Sequence, residues 1–304
     1  MTSGLDPAGP SVVALGGGHG LSVALRAARQ YASSITAVVS IADDGGSSGR
    51  LRRDLGVAPP GDVRRCLVAL AAEETVWTHA FEHRFADGEL AGHALGNLIL
   101  VGLSETTGDF EHALAEAGRL LRTVGRVLPA TTEPVVLKAE VTTATGGGAA
   151  SIEGQAAVSK SNGIRRIELV PPDVPAPAAV VDAIARADQV LVAPGSLYTS
   201  VLPVLCVPDV RAAVADTSAR VVQVANLRPQ VPETAGLDGT DHLDAVVTHG
   251  ARVDVFLYQD GGSLAVDRER VTTRGVTPVS ARIARSDGLA HDPRELARAL
   301  GALL

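Results

Sequence analysis

Apolar positions along this chain alternate between two periods. Residues 11–15 form a short β-branched run, and residues 21–31 repeat apolar side chains at Leu21, Ala24, Leu25 and Ala28, the spacing of one helix face. A second strand is predicted over 35–41. Strand, helix, strand makes a βαβ unit across 11–41, and a parallel sheet follows from it. Residues 47–61, rich in Gly, Arg and Pro, read as a loop with one short helical turn. Asp62 can cap a helix running to about Ala72. Further helical spacing falls near 75–86, 95–105 and 109–124.

The pattern then changes. Strands are predicted at 135–142, 156–160 and 166–170, separated by glycine-rich turns and without intervening helices. This β-rich stretch, around 134–170, reads as an insertion or a small antiparallel layer. Alternation resumes with a helix at 178–187, strand 189–193, helix 201–216, strand 220–226, helix 241–249 and strand 253–257. Pro293 sits at a favourable early position of a last helix. The expected fold is α/β, a Rossmann-like parallel sheet flanked by helices. Residues 1–10 read as a disordered leader and 11–304 as a single domain.

Composition narrows the function. Asp and Glu number 34 against 27 Lys and Arg, a net charge of −7. That balance argues against binding a nucleic-acid backbone. No run of 18 apolar residues spans a bilayer. The first basic residue is Arg26, so the charged head of a signal peptide is missing and a cytoplasmic protein is expected. Cys66 and Cys206 lie in apolar stretches and read as small buried hydrophobes in a reducing compartment. Lys138 and Lys160 are the only lysines, and neither follows a glycine loop. A Walker-type phosphate loop is therefore absent. Any phosphate must be held by backbone N–H groups, arginine, histidine or hydroxyls.

Four junctions carry candidate chemistry. Gly16, Gly17, Gly18, His19 and Gly20 separate the first strand from its helix, where a backbone can approach a phosphate at a helix N-terminus. The dinucleotide fingerprint fails at its third glycine, because position 21 is Leu. Asp43 and Asp44 end the second strand. They can bind sugar hydroxyls, hold a divalent ion that bridges phosphates, or form a solvated turn. The junction 194–200 offers Gly195 and the hydroxyls of Ser196, Thr199 and Ser200, with Tyr198 placed to stack on a base; an N-capped helix is the plainer reading. Asn226 and Arg228 close a later strand, and Asp241 and His242 open the following helix. His79 and His83 lie four apart, a metal-binding spacing, but no third ligand is evident.

The segments ALGGGHGLSVALR at 14–26, SIADDGGSSGRLRRDLGVAPPGDVRRCLVALA at 40–71, ELAGHALGNLIL at 89–100, GRVLPAT at 125–131, APGSLYTSVLP at 193–203 and NLRPQ through to the Asp-His at 241–242 resemble the YvcK family, also called gluconeogenesis factor, within the wider CofD-like group. The resemblance covers residues 12 to about 260. It implies a Rossmann-like cytoplasmic protein that binds UDP-N-acetylglucosamine. It further implies a regulator linking gluconeogenic growth to peptidoglycan synthesis and cell shape, with no firmly assigned reaction, and needing no cofactor. A homodimer and a cell-wall synthesis partner protein are further expectations, and Asn97 joins the candidate ligand residues. The alternative is a CofD-like transferase of a phospholactyl-type group, with magnesium on Asp43 and Asp44. Two departures stand out. Many members have Thr where His19 stands, and Arg-His-Asp where this chain has Ala290-His291-Asp292. Arg282 and Arg285 are candidates to supply the charge of the missing arginine, and His19, Arg50 and Arg228 are candidates to offset the two aspartates at a metal-free site.

Overall fold

The computed structural model describes residues 5–142 and 148–304, the side chains of Arg53 and Asp54 aside. Strands β1 (Ser11–Gly16), β2 (Ser34–Val39) and β3 (Arg126–Pro129) lie on one side of a seven-stranded sheet. An insertion follows: β4 (Val136–Thr142), β5 (Ala149–Glu153) and β6 (Ile164–Val170). The remaining strands are β7 (Gln189–Val192), β8 (Arg220–Val224), β9 (Val255–Gln259) and β10 (Thr277–Ala281). The large sheet runs β10-β9-β8-β7-β1-β2-β3, every pairing parallel. The chain order reverses between β1 and β7. That switch point opens the crevice in which such sheets bind ligands.

Both sheet faces are covered. Val13 and Leu15 of β1 join one apolar cluster, Val12 and Ala14 the other. A strand buried on both sides needs apolar residues at every position, which explains the unbroken run at 12–15. Helices α1 (Gly18–Ala28), α2 (Gly46–Leu55), α3 (Gly61–Leu70), α4 (Val76–Glu82), α5 (Leu95–Thr107) and α6 (Phe110–Leu121) come before β3. The insertion forms a separate antiparallel sheet, β5-β4-β6. Its inward residues Leu137, Ala139, Ile167 and Leu169 join the cluster containing Val13. The expected α/β fold and β-rich insertion are both present.

Several elements differ from the sequence expectation. The presumed loop at 47–61 contains α2, whose sequence GSSGRLRRDL has too few apolar residues to show a period. Gly56, at φ +68°, ends it in the left-handed cap conformation. The strand expected at 156–160 is a short helix, Gln155–Val158, and the strand precedes it as β5. The helix expected at 201–216 is three pieces: a π-helical turn Leu197–Val201, then Leu202–Leu205 and Pro208–Asp216. Pro208 at the first position of the last piece withholds an N–H and separates it. Strands β3 and β10 and the helix Arg268–Thr273 were not anticipated. Within the expected leader, Leu5 packs against the core and the Gly9 N–H donates to the Asp6 carbonyl at 2.9 Å. Among the described residues no single helix is long and apolar enough to cross a membrane.

Candidate functional site

Three helices begin against one cavity of about 490 Å³ at the switch point. Their first residues, Gly18 of α1, Gly46 of α2 and Gly61 of α3, all line it. The preceding residues are Gly17, Gly45 and Pro60, and none supplies a side-chain cap. Five other helices do carry a side-chain cap, Thr75 on α4, Asp109 on α6, and Asp238, Asp267 and Asp292 on three later ones, whereas α5 and the helices Ala178–Ala185, Leu202–Leu205 and Pro208–Asp216 do not. Uncapped helix starts present N–H groups and the positive ends of three helix dipoles to the same space. Such an arrangement favours an anion. A Cβ on Gly18, at φ +63°, would meet nothing within 4 Å. Its place is the cavity itself.

Charged side chains reinforce this field. Arg64, Arg65, Arg84 and His19 line the cavity, opposed by Asp43 and Asp62. Burial, then Arg65, hold the His19 imidazole below its usual range. Burial raises the Asp43 carboxyl, and Asp62 adds to that rise. Asp62 pairs with Arg65 at 2.7 Å.

A chain of hydrogen bonds fixes the wall at α3 and α5. Arg64, only 5% exposed, donates from Nε to Asn97 Oδ1 at 3.0 Å and from Nη1 to the Phe81 carbonyl at 3.1 Å. Because arginine only donates, Asn97 must turn its amide nitrogen to Ser47, 3.3 Å away. Ser47 Oγ lies 3.1 Å from His93 Nδ1. Its oxygen accepts from Asn97, and its hydrogen bond with the imidazole completes the chain.

The structure gathers part of the expected site. Gly17, Gly18, His19, Gly20, Asp43, Asn97, Gly195 and Ser196 all line the cavity, together with Ser200. Gly16 stands behind them, accepting from the Ser40 N–H at 3.0 Å. Gly20 is also a packing glycine, since a Cβ there would lie 1.8 Å from the Pro194 carbonyl oxygen. Asp44 turns away from its neighbour: its two oxygens accept from Ala156 N at 2.8 Å and Gln155 N at 3.0 Å. The Asp43–Asp44 pair is therefore divided, and the carboxylate facing the cavity beside Asp43 is Asp62.

Tyr198 and Thr199, 4% and 3% exposed, lie in the core behind the cavity, so no face of Tyr198 is open for stacking. Glu233, itself 1% exposed, accepts from Tyr198 N at 2.7 Å and Thr199 Oγ1 at 3.0 Å. That carboxylate already fills the start of the π-helical turn. Asn226 grips the Gly195 backbone from both sides, each bond 2.8 Å. With Arg228, Asn226 lines an adjoining cavity of about 310 Å³, which shares His19, Gly20, Gly195 and Gln230 with the first. His242 is 1% exposed and buried among helix and sheet, lining neither cavity. Arg282, Arg285 and Arg50 line neither. Arg50 reaches the Ala91 carbonyl instead.

Sequence reading missed Ser47, Asp62, Arg64, Arg65, Arg84 and Gln155 as cavity residues. Gly45-Gly46-Ser47-Ser48-Gly49 spaces a serine between glycines at a helix start, a signal for Ser47. Asp62, Arg64 and Arg65 sit in the first turn of a helix behind Pro59-Pro60, the other readable cue.

Residues 12–291 match the family described as 2-phospho-L-lactate transferase CofD. A gluconeogenesis factor of Halalkalibacterium halodurans is 44% identical, over 79% of this chain and 73% of that protein. The gluconeogenesis factor of Bacillus subtilis is 41% identical, over 79% and 75%. A crystal structure of a UPF0052 family member from Bacillus halodurans superposes with a TM-score of 0.89 at 37% identity, covering 96% of this chain and 98% of that one. The chain belongs to the CofD family, and to its gluconeogenesis factor branch.

Proposed function

We propose that this protein is a cytoplasmic nucleotide-sugar receptor, with UDP-N-acetylglucosamine as ligand, that couples gluconeogenic growth to peptidoglycan synthesis and cell shape. The observation that carries the reading is the convergence of three uncapped, glycine-opened helix starts on one cavity. A diphosphate fits that field: backbone N–H groups take its oxygens, and Arg64, Arg65 and Arg84 balance its charge. The smaller adjoining cavity, partly walled by Val23, Leu227, Pro229 and Leu289, offers apolar surface for a nucleoside. Thermal-shift and calorimetric titrations with UDP-N-acetylglucosamine, GDP with magnesium, and NAD test this. A ligand at 100 times its dissociation constant stabilises by about 2.7 kcal/mol. Stabilisation by UDP-N-acetylglucosamine supports the reading, and stabilisation by GDP-magnesium alone overturns it.

One observation favours a second reading, a metal-dependent transferase of the CofD type. Asp43 and Asp62 both face the cavity. Among the described residues no group of three His, Cys, Asp or Glu side chains is placed to hold a metal ion. Two carboxylates completed by diphosphate oxygens are nevertheless a set that magnesium accepts. On this reading Asp43 and Asp62 would hold the ion, which would neutralise phosphate charge.

A further inference from the structure

The insertion sends one side chain into the cavity. Of residues 130–170, Gln155 alone lines it among the described residues. It opens the short helix Gln155–Val158, and the helix is fastened to the phosphate loops by Asp44, which accepts from the N–H groups of Gln155 and Ala156. The fastening tolerates no side chain nearby: Gly154 has φ +94°, and a Cβ there would lie 2.6 Å from Asp44 Oδ2. Gln155 is half-buried, and its carboxamide has no hydrogen-bond partner among the described residues.

Gly45 marks where that carboxamide points. Its φ of −94° and ψ of 162° suit any residue, so the backbone does not require glycine. A Cβ built there would stand 3.4 Å from Asp43 Oδ1, 3.6 Å from Gln155 Oε1 and 3.7 Å from Ala156 Cβ. The missing side chain thus leaves a small cradle walled by a carboxylate and a carboxamide. Asp43 can only accept while ionised, and Gln155 both donates and accepts. Such a pair suits the hydroxyl and amide groups of a neutral sugar, in contrast to the guanidinium groups that suit phosphate.

We infer that Gln155 is a specificity-determining residue that reads the sugar half of the ligand in the Gly45 cradle, and that Asp44 is a positioning residue which holds it there. The inference rests on the nucleotide-sugar reading and adds to it the direction in which the ligand lies. The insertion is then the part of the protein that distinguishes a sugar nucleotide from a plain nucleotide.

The test compares dissociation constants of UDP and UDP-N-acetylglucosamine, by calorimetry, on the full chain. The wild type should bind the sugar nucleotide more tightly than UDP. Gln155→Ala and Gly45→Ala should each weaken UDP-N-acetylglucosamine about tenfold or more and leave UDP within about twofold. Asp44→Asn should show the same selective loss, and the Asp44→Asn/Gln155→Ala double variant should be no worse than the single ones. UDP binding also reports that each variant is folded. Equal losses for both ligands in Gln155→Ala, or an unchanged ratio in Gly45→Ala, would overturn the inference while leaving the nucleotide-sugar reading standing. A wild type that binds neither ligand overturns both.

Discussion

The Asp62 carboxylate occupies the place a side chain would take at Gly17: a Cβ there would stand 2.5 Å from Asp62 Oδ2. Gly17 has φ −167°, extended backbone open to any residue, so only space is at stake. Asp62 also pairs with Arg65. A methyl at position 17 must therefore move an acid and loosen a base of the site together. Gly17→Ala is expected to destabilise by about 1–3 kcal/mol, as overpacking does, and to weaken ligand binding. Urea denaturation with a binding titration measures both; a variant unchanged in each would show that Asp62 yields freely.

Gly18 gives the opposite case. Nothing lies within 4 Å of its absent Cβ, but its φ is +63°. Gly18→Val is expected to cost about 1–2 kcal/mol for the left-handed backbone and to abolish UDP-N-acetylglucosamine binding, because the new side chain stands in the phosphate field. Retained affinity in folded protein would move the phosphate site elsewhere.

Metal dependence separates the two functional readings. On the receptor reading, three arginines and three helix starts hold the ligand without a cation, and affinity should survive EDTA. Asp62→Asn and Asp43→Asn should then each weaken binding by no more than one charge-assisted hydrogen bond, roughly 1.5–3 kcal/mol or about 10- to 150-fold. Affinity that collapses in EDTA and returns with magnesium would establish the transferase-like site instead.

Acid should destabilise the fold through two buried histidines. Burial lowers both His242 and His291 from 6.5 to about 4. Each is neutral when folded and gains its proton more readily when unfolded. Their contribution is complete above pH 6.5 and is lost as pH falls toward 4, at about 1.4 kcal/mol per pH unit for each once the unfolded form is protonated. His291→Asn, which removes one imidazole, should flatten the decline in unfolding free energy between pH 6.5 and 5. An unchanged slope would show that His291 does not drive it.

Much of the fold was legible because periodicity reports burial directly. A strand covered on both faces needs an apolar residue at every position, and 12–15 shows it. Where the buried positions are polar or burial is partial the pattern fades: α2 buries Ser47 and Ser48 along with Leu51, and β10 is only partly buried. The glycine turn was legible as a cavity-facing loop for a local reason, since strand, turn and helix are consecutive. Ser47 and His93, 46 residues apart, meet only once α2 and the turn before α5 fold together.

The sequence by itself determined the α/β alternation, the antiparallel insertion and the glycine turn, all of which depend on neighbours in the chain. Tertiary structure decided which acids face the cavity. Asp43 and Asp44 are adjacent, yet one enters the cavity and the other fastens the insertion, because the helix Gln155–Val158 supplies N–H groups on one side only. Tyr198 reads as an open ring in the sequence but packs into the apolar core, its backbone N–H held by Glu233, 35 residues away. A hydrogen bond depends on where two groups arrive in space, and no spacing along the chain carries that information.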